Sequence, residues 1–459
     1  MRNRDLKSAV VAALSPAPPC APDFSALSRL THRSSSAGLR HLLRWLDESG
    51  LALYLLHRLQ QHAALEAVPH PFLGALAQRL AANRERTSDM LDEFRRIVDA
   101  FDQRNVRFCA LKGFTLTPDF CPAPHLRHQT DFDFLISAEW MASAKQALKS
   151  CGYAQEEIRN SGEVTFATPL RHVPSADDDI YARPRQREVD LLVSLRQDEH
   201  GVSLDMPSDC LDRAQSVALA QISFPALSLD DRFTLQVMHA FKHLLGSWVR
   251  LSWLVEIGRF VDVHHDDQGL WHSVVSRSGR NPTIRNAFGL ILALTQALFR
   301  RPIPGSLEEW CLRPLPCRIA TWVNEFGFQW ALSGLDGAKL TLFVHREFLD
   351  DASTWTSYLA SRIFPFGRRS SIGRVSTAVP RARIKARAFQ LLHSMRRAMF
   401  HTRELASLPL EAIRWKRALR LVERQPALVS NCPGDSHRSD GRTNATSGEA
   451  LTSVARFRN

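Results

Sequence analysis

Two aspartates alternate with phenylalanines in the segment Asp131-Phe132-Asp133-Phe134. Successive side chains of a β-strand point to opposite faces, so Asp131 and Asp133 are expected to share one face while the phenylalanines enter a core. The two Cα atoms would lie roughly 7 Å apart, which lets one divalent ion or a close pair of ions sit between the carboxylates. A buried strand favours this interpretation over a solvated turn, because unpaired buried carboxylates are costly and a cation compensates them.

A third carboxylate follows in the segment 187–193, where the same alternation places Asp190 on one face. Val189, Leu191 and Val193 then lie on the opposite face. If this strand lies beside the first one, three carboxylates become available to one metal site. Carboxylate oxygens suit Mg²⁺, with Mn²⁺ as the alternative ion.

A cationic turn precedes the aspartates, because Lys112 and Gly113 follow the apolar run 108–111. This pattern indicates a strand that enters a tight turn, where glycine permits close backbone approach to a phosphate. Lys112 is the candidate that neutralises a phosphate, with Gly113 allowing the approach and Arg127 as a secondary cation. The alternative for Arg127 is a structural ion pair with one of the aspartates.

The order and spacing of these residues resemble a family of uncharacterised bacterial nucleotidyltransferases in the DNA-polymerase-β-like superfamily. The residues that carry the resemblance are Leu111-Lys112-Gly113, Arg127, Asp131, Asp133, Cys151-Gly152-Tyr153 and Asp190. The likeness extends from about residue 35 to about residue 370 and includes the segments 239–243 and 251–256. The chain departs from the family at Leu192, where a histidine is usual, and at Glu256, where an aspartate is frequent.

The resemblance implies a Mg²⁺-dependent nucleotidyltransferase that moves a nucleoside monophosphate from a triphosphate such as ATP to an acceptor hydroxyl. Asp131 and Asp133 would hold the ions that bridge the triphosphate, and Asp190 would complete the site of the ion that activates the acceptor. The acceptor would be a small molecule or a protein. Three alternatives stay open: a catalytically silent protein of the same fold that binds a nucleotide or a partner, an RNA-directed enzyme, and a membrane-associated enzyme of surface-polymer or secondary metabolism.

The helices and strands predicted around these residues indicate an α+β fold. A small mixed β-sheet forms the nucleotidyltransferase core, flanked by N-terminal helices and by a large C-terminal helical region. A chain of 459 residues exceeds what one core organises, so several units are expected. The predicted units are an N-terminal helical region at 1–104, the α/β core at 105–200, a helical domain at 201–360, basic amphipathic helices at 361–424 and a disordered tail at 425–459.

Hydrophobic periodicity supplies the individual elements. Helices are predicted at 38–63, 71–104 and 138–150, and helix follows helix from about 229 to 360. Strands are predicted at 106–111, 131–136, 164–167 and 187–195. Ser137 is expected to cap the helix at 138–150 and Gly152 to end it. The acidic run 177–179 is interpreted as a solvated turn.

The positive charge of the chain is concentrated in its last hundred residues. Residues 361–459 carry 20 Lys plus Arg against 6 Asp plus Glu, a net of +14 within a total of +12, which leaves −2 for residues 1–360. The net charge of residues 1–360 therefore does not indicate a basic groove that binds nucleic acid. The basic amphipathic segments 381–403 and 412–422 would lie on an anionic membrane, hold RNA, or pack on an acidic face of the same protein.

Two remaining patterns bear on metal chemistry and on location. His239 and His243 lie one helical turn apart, a metal-compatible spacing, but packing is the favoured interpretation because the glutamate of a zinc protease is missing. The 8 cysteines form no CxxC pair, which suits a reducing compartment. The longest apolar run, 287–299, is too short to span a bilayer. We expect a cytoplasmic protein, or one at the membrane periphery, without a transmembrane segment.

Overall fold

The structure is a computed structural model that describes most of the chain. The described residues are 3–15, 23–158, 163–169, 180–181, 187–199, 201–246, 249–279, 281–333, 339–349, 351–363 and 380–424. The predicted acidic turn at 177–179 and the predicted disordered tail at 425–459 lie outside them.

Helices precede the sheet along the chain. They are α1 (Asn3–Leu14), α2 (Ser25–His32), α3 (Ser36–Ser49), α4 (Ala52–Gln61) and α5 (His70–Asp102). The single helix predicted at 38–63 is wrong, because Gly50 adopts a φ of +73° and ends α3. A Cβ at Gly50 would also meet the Ser252 Oγ at 2.6 Å, so the break and the packing around it both require glycine.

The sheet is mixed and has seven strands within the described residues, in the order β3-β4-β5-β2-β1-β9-β8. Its strands are β1 (Phe108–Leu111), β2 (Asp131–Ile136), β3 (Ala154–Ile158), β4 (Val164–Ala167), β5 (Glu188–Leu192), β8 (Gln215–Leu219) and β9 (Ile222–Ala226). Between them, β6 (Arg196–Glu199) and β7 (Val202–Asp205) form a separate two-stranded sheet. The α+β architecture predicted from the sequence is confirmed.

One face of the sheet is an aromatic core, and this accounts for the alternation in β2. Phe132 and Phe134 both lie with their ring centroids 5.8 Å from that of Phe94 on α5. Phe94 also meets Phe224 on β9 edge to face at 4.9 Å. Because this face is filled by rings, the alternate residues of β2 must face the opposite side of the sheet.

The sheet extends further along the chain than predicted. Residues 201–226 were assigned to the helical domain, but β8 and β9 form a hairpin whose second strand pairs with β1 in parallel. The turn of this hairpin is Ala220-Gln221, with φ of +49° and +65°. Two positive φ values are typical of a type I′ turn, which usually has Asn-Gly at these positions, so Ala220-Gln221 does not read as a turn.

The helix after β2 is shorter than predicted and begins differently. A 3-10 turn at Ala138–Trp140 precedes α6 (Met141–Ser150). Ser137 does not cap a helix, because its Oγ donates to the Glu139 carboxylate at 2.5 Å. Gly152, with a φ of +89°, ends the helix as predicted, and its N–H donates to the Lys149 carbonyl.

Helices follow from Leu229 onward, as the periodicity predicted. They are α7 (Leu229–Leu245), α8 (Leu251–Val263), α9 (Gln268–Ser278), α10 (Pro282–Phe299), α11 (Gly305–Leu307), α12 (Cys317–Trp322), α13 (Phe328–Ser333), α14 (Thr341–His345), α15 (Ala352–Ile363) and α16 (Pro380–Glu423). The two basic segments form one helix of 44 residues, which runs through Pro409. Among the described helices, none combines the length and apolar character required to cross a bilayer.

Candidate functional site

The sheet brings the three predicted aspartates to one face. Asp131 and Asp133 are alternate residues of β2, and β5 pairs with β2 in parallel so that Asp190 lies directly opposite Asp133. Neighbouring strands lie about 4.8 Å apart, so all three carboxylates line a short stretch of two adjacent strands. This face is the one opposite the phenylalanine core.

Lys112 lies among these carboxylates. It follows the last residue of β1, Leu111, which is the pairing partner of Asp133. Its Nζ lies 3.3 Å from Asp133 Oδ2, and 18% of the lysine side chain and 10% of the aspartate side chain are exposed. Burial alone would lower the pKa of Lys112, but Asp133, Asp131 and Asp190 outweigh burial and raise it. The lysine is therefore a fixed cation within the acidic face, the name used here for the side of the sheet that carries Asp131, Asp133 and Asp190.

Charges of like sign crowd one another on the acidic face. The pKa of Asp133 is raised to about 6. Burial is the main cause, the negative charges of Asp131 and Asp190 contribute to the rise, and Lys112 opposes it. Lys112 acts on all three carboxylates, and two buried arginines also act on Asp131. An uncompensated buried carboxylate has a raised pKa because its charged form is disfavoured, and a further cation would relieve that penalty.

Thr165 on β4 orients the third carboxylate. It is the pairing partner of Asp190, and its Oγ1 donates to Asp190 Oδ1 at 2.7 Å. The sequence predicts a strand at 164–167, but Thr165 is not among the predicted site residues. The alternation of Val164, Thr165 and Phe166 is the available signal, because a hydroxyl between apolar residues of a buried strand requires a polar partner.

The turn after β1 requires a glycine for reasons of packing and backbone conformation. Gly113 has a φ of +45°, and a Cβ there would meet the Gln129 Nε2 at 2.5 Å. Gln129 in turn donates from this nitrogen to the Asp131 carbonyl at 2.8 Å. Lys112 also has a positive φ of 48°. The strained turn therefore links the position of Lys112 to the start of β2.

Arg127 lies in a buried network that joins several parts of the fold. Its Nε lies 3.2 Å from Glu256 Oε1, and the Glu256 side chain is fully buried. Tyr54 on α4 donates to the same oxygen at 3.0 Å, and Gln236 on α7 donates to Oε2 at 3.1 Å. Burial raises the pKa of Glu256, but Arg127 and Tyr54 act in the opposite direction. The ion-pair partner of Arg127 is a glutamate of α8 rather than one of the aspartates.

A histidine and tryptophan cluster on the helical side lies within electrostatic reach of Lys112. The ring centroids of His239 and His243 are 4.5 Å apart, and they lie 4.6 and 4.9 Å from that of Trp253. The pKa of His239 is well below its ordinary value and that of His243 is lowered to about 3; burial is the main cause for both, and the charge of Lys112 contributes to each. The two imidazoles are therefore neutral and pack against Trp253.

The donor set fits a hard divalent cation, since Mg²⁺ and Mn²⁺ prefer carboxylate oxygens. Within the described ranges, however, no group of three His, Cys, Asp or Glu side chains is arranged so that it could hold a metal ion. Asp133 is directed at the Lys112 ammonium, and Asp190 is directed at the Thr165 hydroxyl. The residues have the required chemistry, and metal binding would require these two carboxylates to change partners.

Comparison with known families gives a match over the part of the chain that contains the sheet. A family model described as an uncharacterised nucleotidyltransferase matches residues 35–300, which contain every candidate site residue and the whole sheet. Comparisons with curated proteins and with solved structures find no match for this chain. Because the family match covers more than half of the chain, the protein belongs to this uncharacterised nucleotidyltransferase family and is a nucleotidyltransferase.

Proposed function

We propose that this nucleotidyltransferase moves a nucleoside monophosphate from a nucleoside triphosphate to a hydroxyl of a small molecule or protein, and that the reaction depends on Mg²⁺. The observation that supports this most directly is the in-register pairing of Asp133 with Asp190 beside Asp131. Three carboxylates on one sheet face, with one lysine among them, suit a reaction in which an anionic substrate meets an anionic protein surface.

In this proposal Asp131, Asp133 and Asp190 hold the metal, with Mg²⁺ as the ion and Mn²⁺ as its substitute. Bound Mg²⁺ would neutralise the triphosphate and lower the pKa of the acceptor hydroxyl. Carboxylates and phosphates repel each other, so catalysis of phosphoryl transfer consists mainly of positioning and charge neutralisation.

Lys112 is proposed to change partners when the substrate binds. In the structure its ammonium pairs with Asp133, which keeps it at the acidic face. A bound triphosphate would offer phosphate oxygens to the lysine, and Asp133 would then be available to hold the metal. The Gly113 turn, held by Gln129, keeps the lysine backbone in place during this exchange.

Arg127 is proposed to act as a positioning residue. Its guanidinium is engaged by Glu256, and the backbone carbonyl of Arg127 accepts a hydrogen bond from the Asn83 side chain at 3.1 Å. These contacts fix the segment that leads into β2. Moving this guanidinium would be costly, because it would leave both charges of the buried pair without their partner.

A small-molecule or protein acceptor is favoured by charge. Residues 1–360 have a net charge of −2 and include the entire sheet and the acidic face. Binding of RNA over such a surface would lack the phosphate contacts that supply most nucleic-acid affinity.

The test is nucleotide binding and turnover with the purified full chain. Thermal unfolding is measured with each of ATP, GTP, CTP and UTP, with Mg²⁺, Mn²⁺ or EDTA, followed by pyrophosphate release. We expect one triphosphate to stabilise the protein in the presence of metal only, since a ligand that binds the folded state raises its stability. Equal stability with every nucleotide and metal would refute the proposal.

One alternative has a specific observation in its favour. Lys112 already pairs with Asp133, so a catalytically silent relative could bind a nucleotide at this face without transferring it. Metal-dependent binding of a triphosphate together with no pyrophosphate release, across a broad acceptor panel, would favour this alternative.

The affinity for Mg²⁺ is expected to depend on pH. The pKa of Asp133 is raised from 3.8 to about 6, so a proton competes with the metal below that pH. Affinity should therefore fall by about tenfold per pH unit below the pKa and level off above it. The metal-free protein should lose stability as pH rises from the unfolded pKa to the folded pKa, because the folded state retains the proton longer.

Isothermal titration calorimetry with Mg²⁺ across this pH window checks the prediction. The matched control is Asp205→Asn on β7, an exposed strand carboxylate outside the acidic face, which should keep the wild-type profile. An affinity that is constant across the window would contradict the role given to Asp133.

A further inference from the structure

The long helix α16 carries two apolar faces, and within the part of the chain that the structure describes the fold covers one of them. An α-helix turns by about 100° per residue, so its exposed and buried side chains can be placed around its axis. Among the side chains of α16 that the structure describes, the large apolar ones with more than two-fifths of their area exposed are Leu391, Leu392, Met395, Met399, Leu410, Ile413 and Leu421. These seven positions fall within an arc of about 120°.

The opposite side of α16 packs on the helical domain. Trp415 is 9% exposed, and its ring lies 5.9 Å from that of Phe343 and 6.1 Å from that of Phe326. Ala418, which is also buried, lies on the same side. This buried face is centred roughly half a turn from the exposed apolar arc. The fold therefore leaves an apolar stripe outside after the helix has been anchored.

The charged side chains of α16 also differ in whether they contact the helical domain or are exposed. The helix contains 11 Lys plus Arg and 3 Asp plus Glu. Two of the acidic residues contact the domain: Glu411 accepts from Gln329 at 3.0 Å, and Glu404 accepts from the Lys339 N–H at 3.4 Å. Lys416, Arg417 and Arg420 are exposed. Basic residues therefore lie beside the exposed apolar arc in this part of the helix, while Arg414 pairs with Glu325 of the domain and Glu423 is exposed.

We propose that the exposed face of α16 binds an anionic lipid surface. Aliphatic and methionine side chains at its centre can enter the boundary between headgroups and acyl chains, and the neighbouring basic residues meet the anionic headgroups. The stripe from Leu391 to Leu421 is about 45 Å long, enough for a helix that lies in the plane of the membrane. This inference goes beyond the transfer reaction and does not depend on it.

Two other occupants fit the same face less well. RNA-binding surfaces stack bases on aromatic side chains, but the seven exposed apolar side chains that the structure describes on this face are leucine, isoleucine and methionine. A second copy of the chain would place basic residues against basic residues, and like charges across an interface oppose association. Only an anionic lipid surface complements both the charge and the aliphatic character.

Vesicle flotation with the purified full chain tests the proposal. The probes are vesicles of phosphatidylcholine alone and of phosphatidylcholine with phosphatidylglycerol. The wild-type chain should float with the anionic vesicles and not with the neutral ones. The Met395→Glu/Met399→Glu variant should bind the anionic vesicles at least about tenfold more weakly, because it places charge at the centre of the stripe.

The matched control carries the same substitution at exposed apolar residues on other elements. Leu65 and Val263 are 38% and 49% exposed, and the Leu65→Glu/Val263→Glu variant should float like the wild type. Circular dichroism and thermal unfolding verify that both variants are folded. Nucleotide binding serves as an independent readout, so a failure of the transfer proposal leaves the flotation result interpretable.

Several outcomes would overturn the lipid proposal. These are a wild-type chain that does not float with anionic vesicles, equal flotation with neutral vesicles, and a methionine variant that floats like the wild type. Salt-sensitive binding of single-stranded RNA without flotation would assign the face to nucleic acid. A wild-type dimer in light scattering that the methionine variant abolishes, without flotation, would assign it to a second copy.

Discussion

Replacing Asp133 with asparagine is expected to lower metal-dependent pyrophosphate release by about a thousandfold, since metal-based stabilisation of the transition state is worth several kcal/mol. Asparagine preserves the shape of the side chain but removes its charge. The substitution also removes the ion pair at 3.3 Å with Lys112, although Asp131 and Asp190 still act on the lysine. The fold should therefore survive while the ability to bind metal is lost.

The measurement is a steady-state assay of pyrophosphate release at saturating triphosphate and Mg²⁺, with thermal unfolding as a check on folding. Asp205→Asn on β7 is the matched control, because this aspartate is 63% exposed and lies outside the seven-stranded sheet. It should retain wild-type turnover. Turnover of the Asp133→Asn variant within about threefold of wild type would remove this aspartate from the metal site.

Replacing Glu256 with leucine is expected to lower the free energy of unfolding by about 3–5 kcal/mol. The substitution leaves the Arg127 guanidinium buried without its carboxylate, at a site where the arginine side chain is 14% exposed. Tyr54 and Gln236 lose their hydrogen-bond acceptor at the same time. Urea denaturation followed by circular dichroism gives the change in unfolding free energy.

A double-mutant cycle separates the charge from the packing. Glu256→Gln keeps acceptor oxygen and volume and should cost less than the leucine substitution, about 1–3 kcal/mol. Adding Arg127→Met to Glu256→Leu should recover part of the loss, because a buried apolar pair carries no unpaired charge. A leucine variant within about 1 kcal/mol of wild type would show that the network does not hold these helices together.

The local parts of the acidic face could be predicted from the sequence. Strict alternation of aspartate and phenylalanine fixed which side of β2 is buried, and the same period placed Asp190 correctly on β5. Side-chain alternation is a property of the backbone, so it can be inferred before the neighbours of a strand are known. The helical stretch from Leu229 onward followed for the same reason, with a period of 3.6 residues.

The contacts that depend on distant parts of the chain could not be predicted. Glu256 lies 129 residues from Arg127, and no local pattern connects them. The hairpin at 215–226 was missed because Ala220 and Gln221 adopt positive φ without the usual turn residues. The break between α3 and α4 depends on how closely Gly50 approaches Ser252. In each case tertiary packing decides a conformation that local propensity leaves undetermined.

The parallel register of β2 and β5 makes correct folding a condition for having a site at all. A slip of one residue would direct Val189 or Leu191 toward the acidic side and drive Asp190 into the phenylalanine rings. Such a misfolded chain would lose a carboxylate from the site and bury an unpaired charge in its core, so it would be unstable as well as inactive. Chains with an intact core but a scrambled acidic face should therefore be rare in any folded population.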